Sequence, residues 1–245
     1  MNPVHQVVVL AHGWGYNHRF FNELLANLSQ KQRANTLFVC LEMGYFPDQA
    51  QAGLMVHLDE DWQWHPLETL HSLVLAHAGV PWVGVGHSLG FSKLLEFAVR
   101  WHTVISVHGF THFVKAGAHT EGVASRILQR MVQKAHTNMP ELLAHFHQQC
   151  GHVANWHTLN ESALLVDLQS MAQLDTGSTL QSCMTQGSHL AAIISPVDNI
   201  VPEGLSHACF PNPENRFALQ AQHSELAYNP SRYTAVLYPL ICPCT

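Results

Sequence analysis

The sequence predicts an α/β fold: a mostly parallel central sheet flanked by helices, with a helical cap inserted in it. Three observations carry the prediction. Short β-branched runs such as Val7 to Leu10 and Val104 to Val107 alternate with stretches of helical periodicity. Several of these runs stop at glycine-bearing turns, among them His12-Gly13-Trp14-Gly15 and His108-Gly109-Phe110. One long segment, residues 111–188, is helical by pattern and holds no convincing strand. Strands separated by helices become parallel neighbours, because a parallel pair needs a crossover connection.

In chain order, Val7 to Leu10 reads as the first strand, and a helical pattern runs from Phe20 to Leu28. Thr36 to Leu41 is a second buried strand, ending at Glu42-Met43-Gly44-Tyr45. Residues 48–63 are irregular by pattern, whereas Leu67, Leu70, Val74 and Leu75 space like the buried face of a helix. Trp82 to Gly86 is a strand running straight into Ser88, and Phe91 to Trp101 returns to helical spacing. Val104 to Val107 follows as a strand. The helical stretches Ile127 to Val132, Leu142 to Phe146 and Ala163 to Leu174 then fill a segment far longer than the ~2–6 residues of an ordinary βα connection. His189 to Ser195 resumes the strand pattern, Arg216 to Leu219 is another short strand, and a last helix closes the chain. The expected organisation is a first core part at 1–110, a cap at 111–188 and a second core part at 189–245.

Hydrophobic residues make up 47% and charged residues 11% of the 245, which suits one packed domain and excludes a disordered chain. The net charge of -6 repels polyanions, so nucleic acid is not an expected partner. No apolar run reaches the ~20 residues needed to cross a bilayer, and no membrane partner is expected. The start of the sequence does not read as a signal peptide. Six cysteines show no paired framework, the only close pair being Cys242 and Cys244, which suggests free thiols and a cytoplasmic setting. The 20 histidines would swing the net charge positive below about pH 6.5.

Gly86-His87-Ser88-Leu89-Gly90 lies between a strand and a helix. A serine hydroxyl is a weak nucleophile at neutral pH and needs exposure and a base. Glycines two before and two after it permit a sharp strand-to-helix turn that exposes it, at the amino end of a helix that favours developing negative charge. An oxyanion needs two aimed donors; the backbone N–H groups of Leu89 and of Trp14, in the turn after the first strand, are the candidates. In this motif class an acid and then a histidine follow the serine. Asp198, just after the strand ending at Ser195, is the expected acid, with Asp167 and Asp175 read as solvated groups on helices. Of the two histidines after Asp198, His207 comes too soon for an intervening helix and strand, which leaves His223 as the base. His145 and His147 diverge on a helix, unlike a metal-binding pair at i, i+4, so no metal or other cofactor is expected. Arg126, Arg130 and Lys134 recur every four residues and line one helix face. The stripe reads as a solvated face or as a dock for an acidic partner.

Together these residues resemble the α/β-hydrolases, and among them the pimeloyl-acyl-carrier-protein methyl ester esterases of biotin synthesis. The likeness rests on His12-Gly13-Trp14-Gly15, Gly86-His87-Ser88-Leu89-Gly90, Asp198 followed by Ile200-Val201-Pro202, and His223. It implies a four-helix cap, a triad of Ser88, Asp198 and His223, an oxyanion hole from the Trp14 and Leu89 amides, and a cap face of Arg126 and Arg130, with Lys134, that receives an acidic acyl carrier protein. Two features depart from the pattern: Glu42-Met43-Gly44-Tyr45-Phe46 lacks the usual Asp-x-x-Gly form, and Phe91 stands where a small residue is common, either narrowing the turn or filling the core behind it. The expected activity is ester hydrolysis by a monomer. The rival expectations are a carboxylesterase for small free esters and a non-catalytic binding protein of the same fold.

Overall fold

The computed structural model describes residues 3–29, 33–58 and 61–241. Among the described residues eight strands form one sheet: β1 (Gln6–Ala11), β2 (Thr36–Glu42), β3 (Gly53–Leu58), β4 (Asp61–His65), β5 (Trp82–His87), β6 (Thr103–Val107), β7 (His189–Ile194) and β8 (Arg216–Ala218). Their order is β4-β3-β2-β1-β5-β6-β7-β8. The pairs from β2 through β1 to β8 are all parallel. Strands β1, β5 and β6 are buried along their whole length, which is why they read as continuous apolar runs.

Helices with bounds among the described residues are α1 (Asn22–Ala26), α2 (Thr69–Ala76), α3 (Leu89–Leu95), α4 (Ser125–Cys150), α5 (Glu161–Ser170), α6 (Gly177–Thr185), α7 (Glu203–Cys209) and α8 (Thr234–Ile241). Helices α4, α5 and α6 fall between β6 and β7. The longest, α4, is broken at Asn138, whose φ of -161° and ψ of 80° are not helical, two residues before Pro140. A proline lacks the N–H to bond backwards and its ring clashes with the preceding turn, so the break falls just ahead of it. Asn138 Oδ1 accepts the Glu141 N–H at 3.1 Å and so caps the second half.

Three expectations fail locally. Residues 48–63, read as irregular, contain β3 and carry the chain into β4, an antiparallel hairpin added to the edge of β2. The edge strand β4 is mostly exposed, with Trp64 45% accessible, so neither clean alternation nor a buried run marks it. The helix expected over 91–101 ends at Leu95, and Trp101 packs against β5, where a Cβ on Gly84 would lie 3.2 Å from its ring. The first helix is a 3-10 turn, His18–Phe21, followed by the short α1.

Among the described residues no helix is long and apolar enough to cross a membrane. Cys40, Cys150, Cys183 and Cys209 are free thiols; Cys242 and Cys244 lie outside the described residues.

Candidate active site

The carboxyl ends of β1, β5, β6 and β7 present the chemistry. Ser88 follows β5 immediately, with φ 54° and ψ -128°, and α3 begins at the next residue. A non-glycine residue with positive φ is strained, and a sharp strand-to-helix elbow is a known cause. The flanking glycines are required by space: a Cβ on Gly86 would fall 2.2 Å from the Phe91 Cα, and one on Gly90 2.2 Å from the Ala11 carbonyl oxygen. Phe91 is fully buried and meets Phe210 edge-on at 5.5 Å, so it fills the core behind the elbow.

Asp198 and His223 come together as expected. The His223 Nδ1–H donates to Asp198 Oδ2 at 2.8 Å, and both side chains are 1% exposed. Asp198 Oδ1 accepts the backbone N–H groups of Ile200 (2.7 Å) and Val201 (3.0 Å). Burial would raise its carboxyl, but the neighbouring His223 and His108 and their hydrogen bonds outweigh burial and hold it well below the carboxylate range. His223 Nε2 is buried without a hydrogen-bond partner, Ser88 Oγ included. Catalytic hydrogen bonds in unliganded sites are often long and tighten with substrate.

The turn after β1 passes directly against the serine, since a Cβ on Gly13 would lie 2.9 Å from Ser88 Cβ. This turn is clasped from the segment between β6 and β7. The Trp14 indole N–H donates to the Leu164 carbonyl at 2.8 Å, and its ring meets Phe146 edge-on at 4.9 Å. His147 Nε2–H donates to the Gly15 carbonyl at 2.7 Å. Burial lowers His147 to about 4, so its ring is neutral at pH 7. The Leu89 amide, first in α3, is one of those with no acceptor inside the helix.

Sequence reasoning missed four contributors: His108, Tyr233, Ser195 and Glu42. His108, at the end of β6 with φ 51°, donates from Nδ1 to the same Asp198 Oδ2 at 3.2 Å, and its Nε2 accepts the Tyr233 hydroxyl at 3.1 Å. Ser195 ties the acid loop to the base loop: its hydroxyl donates to the Ala221 carbonyl at 2.7 Å and accepts the Ala221 and Val197 N–H groups at 3.2 Å. The available signal was position, because both His108 and Ser195 stand at carboxyl ends of strands, as Ser88 and Asp198 do.

Glu42 is the fourth, and it explains the missing Asp-x-x-Gly form. Its buried carboxylate accepts His18 N–H and Nδ1–H, both at 2.9 Å, and the Gly44 N–H at 3.0 Å, with His12 Nε2 at 3.3 Å. It therefore binds the turns after β1 and β2 to each other. Burial opposes its charge, yet the attraction and hydrogen bonds of His12 and His18 bring it from 4.5 down to about 2. A carboxyl lowered on folding stabilises above its unfolded pKa and loses that contribution as pH falls through the folded one. The stability gap between wild type and Glu42→Gln is thus expected to narrow by roughly 3 kcal/mol as pH falls from about 4.5 to 2. Urea unfolding of both proteins across that range checks it; a constant gap refutes it.

The remaining predicted residues lie apart from this centre. Arg126 and Arg130 are exposed on α4, but Lys134 is half-buried and paired with Glu141 at 2.6 Å, which braces the α4 break. Asp167 is not a solvated group: it pairs with Lys93 of α3 at 2.9 Å and accepts the Tyr45 hydroxyl at 2.5 Å, anchoring α5 to the core. Asp175 is exposed and accepts from His119 Nε2 at 3.0 Å. Among the described residues one group gathers three metal-capable side chains, namely His108, Asp198 and His223. A cation there would take the Asp198 oxygen and Nδ1 of His223 that orient the base. A cavity of about 450 Å³ lies at the opposite ends of the strands, between Trp82, Arg100 and Trp101.

No model of a known protein family matches the chain, and no curated protein matches it in sequence. Solved structures do match in fold. An esterase from Exiguobacterium antarcticum aligns at 13% identity with a TM-score of 0.62, covering 98% of this chain and 92% of that one. MGS-M2, an α/β hydrolase from a deep-sea metagenome library, aligns at 14% identity and 0.59, covering 100% and 91%. BioG from Haemophilus influenzae aligns at 14% identity and 0.55, covering 90% of each chain. The fold is that of the α/β-hydrolases.

Proposed function

We propose that the chain is a serine ester hydrolase working through an acyl-enzyme on Ser88. The observation that carries this reading is Ser88 on a strained elbow, one residue after His87, whose Nε2 meets the His223 carbonyl at 2.9 Å, with the Nδ1 of the buried His223 committed to Asp198 and its Nε2 left as an open acceptor. In that reading His223 takes the Ser88 proton as the hydroxyl attacks the ester carbonyl, the Trp14 and Leu89 amides hold the oxyanion, and His223 returns the proton to the leaving alcohol. Water activated by His223 then clears the acyl group.

The finer reading is a methyl ester on a pimeloyl chain carried by acyl carrier protein, handled by a monomer in the cytoplasm, with residues 111–188 as the cap. A groove of about 260 Å³ on α4 supports a carried chain: Met131, Leu142 and Phe146 line it, Arg130 and Lys134 stand beside them, and Phe146 reaches Trp14.

A fluorophosphonate probe tests the class: wild type is expected to be labelled at Ser88 and Ser88→Ala not at all, and an unreactive wild type removes the hydrolase reading. Complementation of a biotin auxotroph lacking its methyl esterase tests the substrate. Growth is expected from wild type but not from Ser88→Ala; failure of both leaves an esterase for other esters. Activity on the carrier-bound ester is further expected to fall with salt and to drop about tenfold in Arg126→Ala/Arg130→Ala, a small free ester being indifferent to both.

A further inference from the structure

We propose that His108 is a positioning residue for the Ser88 site: by sharing Oδ2 of Asp198 with His223, it sets how strongly that carboxylate draws a proton onto His223. The inference deepens the hydrolase reading and rests on it. Its basis is geometric. The carboxylate has four donors, Ile200 and Val201 on one oxygen and His223 and His108 on the other. A carboxylate accepts only, so both imidazoles present Nδ1–H to it. The Tyr233 hydroxyl at 3.1 Å then finds His108 Nε2 as an acceptor, which fixes the same tautomer from the other side of the ring. The result is one directed chain, from Tyr233 through His108 to Asp198, which His223 enters from the opposite end.

Holding this arrangement costs the backbone a positive φ at His108, a conformation uncommon for residues other than glycine. The His108 N–H donates to the Ile193 carbonyl at 2.9 Å, which pins the strained residue to β7 and so to the strand that delivers Asp198. His108 and His223 stand 6.1 Å apart between ring centroids, with the carboxylate between their Nδ1 atoms.

Because Oδ2 serves two donors, its negative charge is divided. Removing His108 concentrates that charge on His223 and stabilises the imidazolium, so His223 becomes the stronger base. Other ionisable groups near the cluster remain constant across the comparison. His87, ahead of Ser88, donates Nε2–H to the His223 carbonyl at 2.9 Å, and burial keeps it neutral. Glu225, in the turn after His223, is paired with Arg232 at 2.7 Å. Burial raises both the Tyr233 hydroxyl and the Cys150 thiol, so neither is charged near neutral pH.

The test is the pH dependence of Ser88 labelling by a fluorophosphonate, which reads the base directly. His108→Gly suits the positive φ and removes the donor. His108→Asn tolerates the same backbone and places an amide N–H near the position of Nδ1. The midpoint of the acidic limb is expected to rise by about one pH unit in His108→Gly, the size of one lost hydrogen bond to a charged group, and to return towards wild type in His108→Asn. A lower plateau with an unmoved midpoint would mean that His108 only supports the fold, and overturns the proposal. Nitrogen-15 NMR of wild type gives a second reading that depends on no variant folding: His108 is expected as the Nδ1–H tautomer, and the Nε2–H tautomer overturns the proposal because Nδ1 could not then donate. A wild type that the probe does not label fails the hydrolase reading itself and takes this one with it, whereas labelling with no shift removes His108 alone.

Discussion

Asp198→Asn is expected to slow acylation of Ser88 by about 10⁴-fold while leaving the protein folded. The asparagine carbonyl can still accept the Ile200 and Val201 amides that anchor this loop, at 2.7 and 3.0 Å in the wild type. Its NH₂ group must then face the side where two imidazoles now donate, His223 at 2.8 Å and His108 at 3.2 Å. Donor meets donor on both. The relief available to His223 is to move its proton from Nδ1 to Nε2, which turns the one nitrogen that should accept the serine proton into a donor. The loss is therefore one of tautomer and not of position. It should appear in the labelling rate constant at every pH above the acidic limb, because in the wild type Asp198 stays ionised far below that range. Single-turnover labelling, with circular dichroism to confirm folding, measures it. A loss smaller than tenfold would show that His223 does not depend on Asp198 for its orientation.

The same geometry explains which parts of the site the sequence announces. Ser88, Asp198 and His223 are legible because each sits where chain order and a strand end demand a particular residue type. The neighbours that set their properties are not, because they arrive from distant positions. His108 meets an acid 90 residues away and Tyr233 125 residues away. His147 reaches Gly15 across 132 residues from a helix whose apolar spacing accounts for the positions around it. Glu42 looked like a departure from a turn motif, and only the approach of His12 and His18 reveals it as the anchor of two turns. In the fold, buried parallel strands were readable as apolar runs, whereas the mostly exposed edge strand β4 gave no periodic signal. The charge stripe shows a further limit of spacing arguments. Arg126, Arg130 and Lys134 share a helical face by number, yet the break at Asn138 brings Glu141 to Lys134 and pairs its charge.

The largest effect on stability is expected at Gly90. A Cβ there would lie 2.2 Å from the Ala11 carbonyl oxygen, 2.5 Å from that of His12 and 2.6 Å from the Ala11 carbonyl carbon. All three atoms are backbone, and they belong to the end of β1 and the first residue of the turn beyond it. Neither side can give way cheaply. Ala11 is paired on one side with Leu41 of β2 and on the other with Gly86 of β5, so shifting it disturbs the centre of the sheet. The alternative is to push α3 outward, which would pull Leu89, Phe91 and Leu94 from the core, where each is 1% exposed or less. Gly90→Ala is accordingly expected to cost about 3–5 kcal/mol, among the largest losses that single substitutions produce. Gly79→Ala is the control, since nothing lies within 4 Å of a Cβ there, and its change should stay within about 0.5 kcal/mol. Urea unfolding midpoints of the two variants decide the matter. If Gly90→Ala were as stable as Gly79→Ala, α3 would have to sit further from β1 than the described contact allows, and the close approach that turns the chain sharply at Ser88 would be wrong.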